Sequence, residues 1–280
     1  MILVFGKKGQ LAQELSKYSN VKLFGRDDFD LSKTKLILNK ILFLNPSAII
    51  NAAAYTSVDS AETNVNLSYS INADSTHEIS KACEILNIPL IHISTDYVFD
   101  GSKQKPWDEN DLPNPINIYG KSKLKGEKNI INSGCIYVIL RTSWIFSSRE
   151  GNFLTNIIKL SNKNNNLDIV DDQIGGPTST ISLAKTIIEI LYQLKTDRSK
   201  KGIYHYSGAP DTSWFYFAKK ILFYLGINCS VNRVSTFNFN SKAKRPLNSR
   251  LDCSKLFNVF NISRPSWDKD LKFVLRELGY

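Results

Sequence analysis

The sequence predicts an α/β protein with a Rossmann-like, doubly wound parallel sheet and a smaller C-terminal lobe. Three observations predict it: short apolar runs alternate with longer helical stretches, a glycine-rich loop follows the first run, and small and then polar residues follow the third and fourth runs. Alternation of strands with helices is typical of a parallel sheet, and ligands bind beyond the carboxyl ends of its strands.

The predicted elements follow in a regular order. Strands are read from short runs rich in branched apolar residues, and helices from apolar residues three and four positions apart. The predicted strands span residues 2–5, 21–24, 48–51, 90–94 and 137–141. The predicted helices span residues 11–18, 32–44, 67–86, 117–132, 213–225 and 267–278.

The composition is that of a globular chain. With 280 residues, of which 42% are hydrophobic, the protein can bury a full core without disulfides. The sequence has no apolar run of the ~20 residues that a membrane helix needs, and its first residues lack the basic segment of a signal peptide. We therefore expect a cytoplasmic protein that does not enter a membrane.

Cysteines, histidines and charge argue against several kinds of site. The four cysteines form no C-x-x-C pair and the three histidines show no ligand spacing, so we predict neither a disulfide framework nor a metal site. The net charge of +10 is spread along the chain without interleaved aromatic residues, which argues against a nucleic-acid partner. We attribute it to solvated surface and to attraction for phosphorylated small molecules.

A G-x-x-G-x-x-A loop follows the first predicted strand. Gly6 and Gly9 allow a tight turn and close backbone approach to a pyrophosphate, beside Gln10 and Leu11 at the helix start. A plain tight turn is the alternative. Because a dinucleotide-binding fold requires such a loop between its first strand and first helix, we predict a dinucleotide site.

The end of the second predicted strand bears on the choice of coenzyme. An acidic residue there binds the ribose 2′-hydroxyl of NAD, whereas Arg26 can pair with the 2′-phosphate of NADP. Because Arg26 comes first in Gly25-Arg-Asp-Asp, we predict NADPH, with NADH possible and a charged surface loop as the alternative interpretation. Asp30 and Leu31 are predicted to contact the adenine.

Further candidates follow the third and fourth strands and lie on a helix. Small residues in segment 51–56 leave room for a ligand, and hydroxyl and carboxylate groups follow the fourth strand at Ser94. Tyr119 and Lys123, four residues apart, share one helical face. An ammonium one turn away lowers the pKa of a phenol, which is about 10 when unperturbed. For this pair alone, a solvated basic face is the alternative.

Together, the glycine-rich loop, NAAAYT, STDYVFDG and YGKSK resemble the extended short-chain dehydrogenase/reductase family. Three later segments, RTSW, DQIGGPT and RPLNSRL, narrow the resemblance to the dTDP-4-dehydrorhamnose reductases, over residues 1 to about 278. The resemblance implies NADPH-dependent reduction of the 4-keto group of dTDP-4-dehydro-β-L-rhamnose to dTDP-L-rhamnose, for surface polysaccharide.

The resemblance also implies catalytic roles. Tyr119 becomes the proton donor, and Lys123 binds the nicotinamide ribose and lowers the pKa of the phenol. A hydroxyl that hydrogen-bonds the substrate carbonyl falls on Thr95, with Ser94 as the competing position.

Binding roles are implied in the same way. Asp96 and Trp144 contact the sugar, although a core position is the alternative for Trp144. The residues that line the coenzyme are Ala54, Tyr55 and Thr56. The guanidinium groups of Arg245 and Arg250 are suited to a diphosphate, with ordinary surface charge as the alternative.

Three positions depart from the family pattern. Ala12 replaces the usual third glycine, at a position that serves packing of the helix on the sheet. Tyr55 stands where relatives often have histidine. Glu14 matches an acidic residue through which some relatives dimerise around a divalent metal, but its partners are not identifiable, and we do not predict a metal.

The predicted organisation has two parts. Residues 1–145, with returning segments at roughly 168–205, form the NADP-binding Rossmann domain, and residues 206–280, with 146–167, form the substrate-binding lobe. The predicted partner is a nucleotide sugar, and the predicted state is a monomer or homodimer. The alternatives are reduction of another 4-keto-6-deoxy nucleotide sugar and a non-catalytic regulatory subunit, against which an intact Thr95, Tyr119 and Lys123 argue.

Overall fold

The computed structural model describes residues 1–239 and 241–280. Its first half alternates strand and helix as predicted. The elements of this half are β1 (Ile2–Phe5), α1 (Gln10–Leu15), β2 (Val21–Phe24), α2 (Ile37–Leu44), β3 (Ala48–Asn51), α3 (Val58–Ala61), α4 (Val65–Tyr69), α5 (Ser75–Leu86), β4 (Pro89–Thr95), α6 (Ile118–Asn132) and β5 (Ile136–Thr142).

The second half mixes longer helices with very short strands. Its elements are β6 (Ile145–Phe146), α7 (Phe153–Ser161), β7 (Asn166–Val170), β8 (Ile174–Gly175), β9 (Thr178–Ser179), α8 (Thr180–Thr196), β10 (Gly202–His205), β11 (Thr212–Ser213), α9 (Trp214–Leu225), β12 (Ser230–Val234), β13 (Asn248–Ser249), α10 (Ser254–Phe260) and α11 (Trp267–Glu277). No helix of the described residues combines the length and hydropathy of a membrane span.

Six parallel strands form the central sheet in the order β2-β1-β3-β4-β5-β10. The chain runs from β1 outward to β2 and then crosses to β3 on the other side of β1. Ligands of such sheets bind where the strand order reverses, outside the carboxyl ends of the strands. The α/β fold class with a central parallel sheet is therefore confirmed, and its switch point lies between β1 and β3.

Helices cover both faces of the sheet. Because side chains alternate along a strand, Ile2 and Val4 of β1 face a core formed with α1, α8 and α10, whereas Leu3 and Phe5 face a core formed with α2 and α5. Both cores are fully buried at their centres. This double cover explains why the strands read as continuous apolar runs.

A third core lies outside the sheet. It is built from α7, α9 and α11 and is closed on one side by the β7–β12 pair, which runs parallel. Leu154, Phe217 and Leu271 are each fully buried there. The division of the chain into two domains at the stated residues stays a prediction.

Two of the predicted helices differ in the structure. The one predicted over residues 67–86 is helical throughout, but a π-helical turn at Ser70–Asp74 lies between α4 and α5. The one predicted over residues 32–44 begins with a 3₁₀ turn at Thr34–Leu36, and α2 follows it. The spacing of apolar residues cannot reveal that one turn holds an extra residue when the apolar pattern continues on both sides of it.

Candidate active site

A large cavity lies at the carboxyl edge of the sheet, at the switch point. Its volume is about 590 Å³. Its lining combines the loop after β1, the ends of β2, β3 and β4, and the first turns of α6. The predicted coenzyme and catalytic residues that line it are Gly6, Gly9, Gln10, Leu11, Arg26, Asp30, Leu31, Ala54, Tyr55, Thr56, Tyr119 and Lys123, with Ser94 beside them.

The loop after β1 has no room for larger side chains at its first glycine. Gly6 has a φ of 100°, and a Cβ there would lie 3.0 Å from the carbonyl oxygen of Ala52 on the neighbouring strand end. Gly9 has extended backbone and precedes α1, and its N–H donates to the carbonyl of Gly6. The loop is therefore a tight turn that keeps the backbone open toward the cavity.

Ala12, in place of the usual third glycine, is 1% exposed and packs in the core between α1 and the sheet. Its methyl group is accommodated without opening the loop. Gln10 is held from the second half of the chain, because its Oε1 accepts hydrogen bonds from Ser147 Oγ at 2.7 Å and from Asn152 Nδ2 at 3.4 Å. One side of the cavity is thereby fixed by residues far apart in sequence.

At the end of β2 the cavity is polar and open. The Arg26 side chain is 78% exposed, and its Nε lies 3.6 Å from Asp30 Oδ2. Asp30 Oδ1 accepts hydrogen bonds from the backbone N–H and the hydroxyl of Ser32, and these bonds hold the pKa of Asp30 below its usual range. Leu31 is buried beside them. An exposed cation thus stands at the rim next to a carboxylate with fixed orientation.

The end of β3 is organised by a residue of the π-helical turn. Asn72 accepts the backbone N–H of Tyr55 at 2.8 Å and donates to the Tyr55 carbonyl at 3.2 Å and to Ser122 Oγ at 2.9 Å. The extra residue of the turn puts this side chain between two segments of the site. Sequence reasoning misses Asn72 because a single Asn in a helical pattern carries no motif.

Helix α6 presents Tyr119 and Lys123 to the cavity. The side chain of Asn117 caps the helix by accepting the N–H of Gly120 at 2.8 Å. A Cβ on Gly120 would lie 2.1 Å from the carbonyl oxygen of Tyr97, so the first turn of α6 packs directly on the segment after β4. This close approach brings Tyr119 next to Thr95. Burial raises the pKa of Tyr119 to about 12, and the neighbouring Thr95 hydroxyl acts in the opposite direction. The pKa that the Tyr119–Lys123 spacing predicts to be lowered is therefore raised in the structure.

Lys123 is 1% exposed although it is charged in its usual state. Its Nζ donates to the carbonyl of Ile93 at 2.6 Å and lies 3.1 Å from His92 Nε2. Burial lowers the pKa of Lys123 to about 8, and the Glu127 carboxylate one turn along the helix opposes that shift. His92 is fully buried on β4, and sequence reasoning misses it because histidine spacing tests only for metal ligands.

A buried carboxyl group follows Thr95. Asp96 is 3% exposed, its Oδ1 accepts a hydrogen bond from Thr95 Oγ1 at 3.1 Å, and its Oδ2 has no partner among the described residues. Burial raises the pKa of Asp96 to about 7, while the neighbouring Ser249 hydroxyl acts against the shift. The carboxyl group therefore changes its charge near neutral pH.

Trp144 is partly exposed and stacks on Trp214, with ring centroids 3.6 Å apart and planes at 11°. Its φ of 49° is in the left-handed region, which is unusual for a bulky side chain. A Cβ on Gly175 would lie 2.7 Å from the Trp144 ring. Sequence reasoning misses Trp214 as a site residue because it opens α9, far along the chain from the motif that contains Trp144.

The two arginines of RPLNSR face different neighbours. Arg245 forms an ion pair with Asp59 at 2.7 Å and lines a second cavity, of about 200 Å³, together with Tyr97, Trp214 and Phe239. Arg245 thus lies in this second cavity, called the crevice below, next to Trp214 of the Trp144–Trp214 stack.

Arg250 lies outside the linings of both cavities. Its Nε donates to Asn248 Oδ1 at 2.8 Å, and its NH2 group donates to the carbonyl of Gln104. Glu14, the position of interest for a metal, forms an ion pair with Lys17 at 2.8 Å. Across residues 1–239 and 241–280, no group of three or more His, Cys, Asp or Glu side chains is arranged to hold a metal ion.

The family model "RmlD substrate binding domain" matches residues 1–279. The chain is 35% identical to dTDP-4-dehydrorhamnose reductase of Sinorhizobium fredii, covering 97% of this chain and 95% of that protein. It is 36% identical to the protein of that name from Aggregatibacter actinomycetemcomitans, over 98% of this chain and 97% of the relative.

Solved structures give the same result. The dTDP-4-dehydrorhamnose reductase of Bacillus anthracis in complex with NADP superposes with a TM-score of 0.92 at 34% identity, covering 99% of this chain and 98% of that one. The orthologue from Clostridium acetobutylicum also has a TM-score of 0.92, at 32% identity, with 100% and 99% of the two chains covered. Similarity of sequence and of fold therefore extends over both halves of the chain.

Proposed function

This chain belongs to the dTDP-4-dehydrorhamnose reductase family, and we propose that it reduces the 4-keto group of dTDP-4-dehydro-β-L-rhamnose with NADPH to give dTDP-L-rhamnose. One observation carries the proposal: a glycine-rich turn and the Tyr119–Lys123 pair open onto one cavity at the switch point of the sheet. A regulatory subunit would have no need of this convergence.

The residues of the cavity fit a dinucleotide. Gly6 and Gly9 leave backbone exposed where a pyrophosphate lies against such a loop, and a Cβ at Gly6 would already meet Ala52. We assign Asp30 and Leu31 to the adenine end and segment 54–56 to the nicotinamide end, and all of them line the cavity. When bound, reduced nicotinamide supplies the hydride that adds to the carbonyl carbon of the sugar.

In the proposed reaction Tyr119 gives its phenolic proton to the developing alkoxide on the sugar O4. A pKa of about 12 in the free protein keeps the phenol protonated at neutral pH, which is the form a proton donor needs. Thr95 donates a hydrogen bond to the same oxygen and polarises the carbonyl. Lys123 holds the ribose hydroxyls, and its ammonium form favours the phenolate that remains after proton transfer.

The nucleotide sugar is proposed to occupy the crevice between the sheet edge and the second half of the chain. Asp96 Oδ2 is a buried oxygen without a partner in the described part of the chain and is suited to a sugar hydroxyl. The Trp144 ring supplies an apolar wall. We assign the diphosphate to Arg245 and Arg250, of which Arg245 stands in the crevice.

The finer assignments are part of the same proposal. NADPH is preferred over NADH through Arg26, no metal takes part, and the protein works in the cytoplasm as a monomer or homodimer. Light scattering of the purified protein at several concentrations would decide between the two oligomeric states.

The test is an assay of purified protein with a panel of 4-keto nucleotide sugars, in which loss of NADPH absorbance is followed and the product is identified by NMR. We expect dTDP-4-dehydro-β-L-rhamnose to give the highest kcat/KM and a product with the rhamnose configuration at C4. A higher kcat/KM with another 4-keto-6-deoxy sugar would change the assigned substrate and leave the assigned reaction, reduction of a 4-keto group, unchanged. If NADPH is not oxidised with any of the sugars, the proposed activity is overturned.

A further inference from the structure

Behind Lys123 lies a chain of buried polar groups that the reaction described above does not use. Lys123 Nζ is 3.1 Å from His92 Nε2, and His92 Nδ1 is 3.2 Å from Asn51 Nδ2. Asn51 Oδ1 in turn accepts the backbone N–H of Ala53 at 3.2 Å. Asn51 and Lys123 are each 1% exposed and His92 is 0% exposed, so water cannot replace any link in the chain.

The backbone N–H of Ala53, at one end of this chain of groups, determines which atoms of Asn51 and His92 carry protons. The N–H of Ala53 can only donate, so it fixes the oxygen of the Asn51 amide toward itself and the NH₂ group toward His92. An NH₂ group can only donate, so His92 Nδ1 must accept. Neutral imidazole carries one proton, which is therefore on Nε2 and points at Lys123.

This arrangement matches a neutral amine at Lys123. An amine can accept the proton of His92 Nε2 with its lone pair and still donate to the carbonyl of Ile93. An ammonium has only donors, so its N–H group and the Nε2–H of His92 would face each other without an acceptor between them. It becomes compatible only if His92 moves its proton to Nδ1 and the Asn51 amide turns over, which leaves the N–H of Ala53 facing an NH₂ group.

We propose that Asn51 and His92 are positioning residues that hold Lys123 in place and couple its charge to the tautomer of His92. In the coupled pair, neutral Lys123 goes with a proton on His92 Nε2, and charged Lys123 goes with a proton on His92 Nδ1. The ammonium form costs one buried hydrogen bond at Ala53. The consequence for turnover rests on the proposed reductase function, in which the ammonium form of Lys123 favours the phenolate.

The charges around the amine act in both directions. On its own helix, Glu127 faces Lys123 and Tyr119 lies one turn away; β4 contributes His92 and the Ile93 carbonyl, and β3 contributes Asn51. The Glu127 carboxylate is itself neutralised by Arg141 of β5 through two hydrogen bonds of 3.0 and 2.7 Å. Burial lowers the pKa of both Lys123 and His92, and this agrees with an uncharged Lys123–His92 pair at alkaline pH.

The direct test is ¹⁵N NMR of coenzyme-free protein labelled at histidine and lysine. The chain has three histidines, so the spectrum is simple. His205 is an internal reference for the opposite tautomer, because its Nδ1 lies 3.0 Å from the carbonyl of Trp107 and must carry the proton. The third histidine, His77, is exposed.

We expect His92 to carry its proton on Nε2 wherever the Lys123 Nζ signal is that of an amine, and on Nδ1 wherever it is that of an ammonium. The two signals should change with one midpoint as pH is varied. A His92 tautomer that stays the same while Lys123 titrates, or the opposite pairing, overturns the proposal. Because no sugar or coenzyme is present, this result is independent of whether the reductase activity is found.

Two substitutions sharpen the test. Asn51→Asp keeps the shape and offers acceptors to both His92 Nδ1–H and the N–H of Ala53, so it should fix the Nδ1–H tautomer and raise the Lys123 midpoint by on the order of one pH unit. The alkaline limb of kcat should move by the same amount. His92→Gln, whose amide oxygen can accept from the ammonium, should also raise the midpoint.

The control is Tyr206→Phe, which removes a hydroxyl from a buried residue outside this chain of groups and should leave the Lys123 midpoint unchanged. An unchanged or lowered midpoint in both Asn51→Asp and His92→Gln would overturn the coupling. So would an equal shift in Tyr206→Phe, since that would show a general effect of disturbing the core.

Discussion

The coenzyme side and the sugar side of the candidate site are built in different ways. On the coenzyme side, most of the groups follow directly after a parallel strand, so that one short segment carries both the fold and the site residues. On the sugar side, contacts join residues far apart in sequence, as in the stack of Trp144 on Trp214 and the ion pair of Arg245 with Asp59. Short motifs can reveal the first kind of site, whereas the second requires the tertiary structure.

The largest expected effect is on the boundary between the two sides, at Tyr119. Tyr119→Phe should lower kcat by a factor on the order of 10²–10⁴, because it removes only proton donation, and should leave the Kd for NADPH nearly unchanged. Steady-state kinetics and fluorescence titration with NADPH measure the two quantities. Tyr206→Phe, in the core away from the cavity, is the control, and a Tyr119→Phe protein with more than half of wild-type turnover would remove Tyr119 from the role.

The next effect concerns stability and the charge of Asp96. Its folded-state pKa of about 7 exceeds the ordinary value of 3.8, so the protonated carboxyl is favoured by folding, and this contribution is lost as pH rises from about 4 through 7. Asp96→Asn removes this loss, at roughly 1.4 kcal/mol for each unit of pKa shift. Urea unfolding at pH 5 and pH 8 should show that the variant gains stability relative to wild type at the higher pH.

Asp100→Asn is the comparison for that experiment, because hydrogen bonds from Ser102 lower the pKa of Asp100. The Asp100→Asn protein should therefore lose stability relative to wild type as pH rises through the acidic range. A stability difference between Asp96→Asn and wild type that is the same at both pH values would show that Asp96 does not titrate between them.

On the sugar side, Arg245→Ala and Arg250→Ala should each raise the KM for the nucleotide sugar, by about tenfold for a charged contact remote from the reacting carbon, with little change in the Kd for NADPH. The effect should be larger at Arg245, which lines the crevice cavity. Arg276→Ala on α11 is the control. A defect confined to coenzyme binding would show that these arginines act on the coenzyme and not on the nucleotide sugar.

The smallest effect is expected at Arg26, because its side chain is 78% exposed and exposed charge pairs contribute about 0.2–1 kcal/mol. Arg26→Ala should weaken NADPH by about two- to fivefold and leave NADH unchanged, as measured by fluorescence titration at low salt. Lys22→Ala, on the neighbouring β2, controls for loss of surface charge. Equal losses for the two coenzymes would mean that the ribose phosphate is bound elsewhere.

The fold could be predicted well where the chain builds its parallel sheet. The bounds of β1, β2 and β3 are those predicted, since buried strands read as compact apolar runs between turns. β10 was not predicted, although it completes the sheet, because its sequence Gly202-Ile-Tyr-His205 has only two apolar residues and gives a weak strand pattern. The two-residue strands β6, β8, β9, β11 and β13 depend on their partners in other segments, and no local signal predicts them.

For the site, the cavity brings together the coenzyme residues named from sequence with Tyr119 and Lys123. Asn72, His92 and Trp214 could not be found in that way. Each acts through the backbone or side chain of a residue distant in sequence, and such pairings are created by packing. Single polar or aromatic residues in an apolar pattern have the same appearance whether they fill a core or support a site.

The backbone at Trp144 sets the position of its ring. A bulky residue with φ of 49° is strained by on the order of 1–3 kcal/mol, and the stack on Trp214 and the contact with Gly175 hold it in that conformation. Glycine at this position would relieve the strain but would lose the stack and the wall proposed for the sugar. Under that proposal, stored backbone strain is what keeps a binding surface in a fixed orientation.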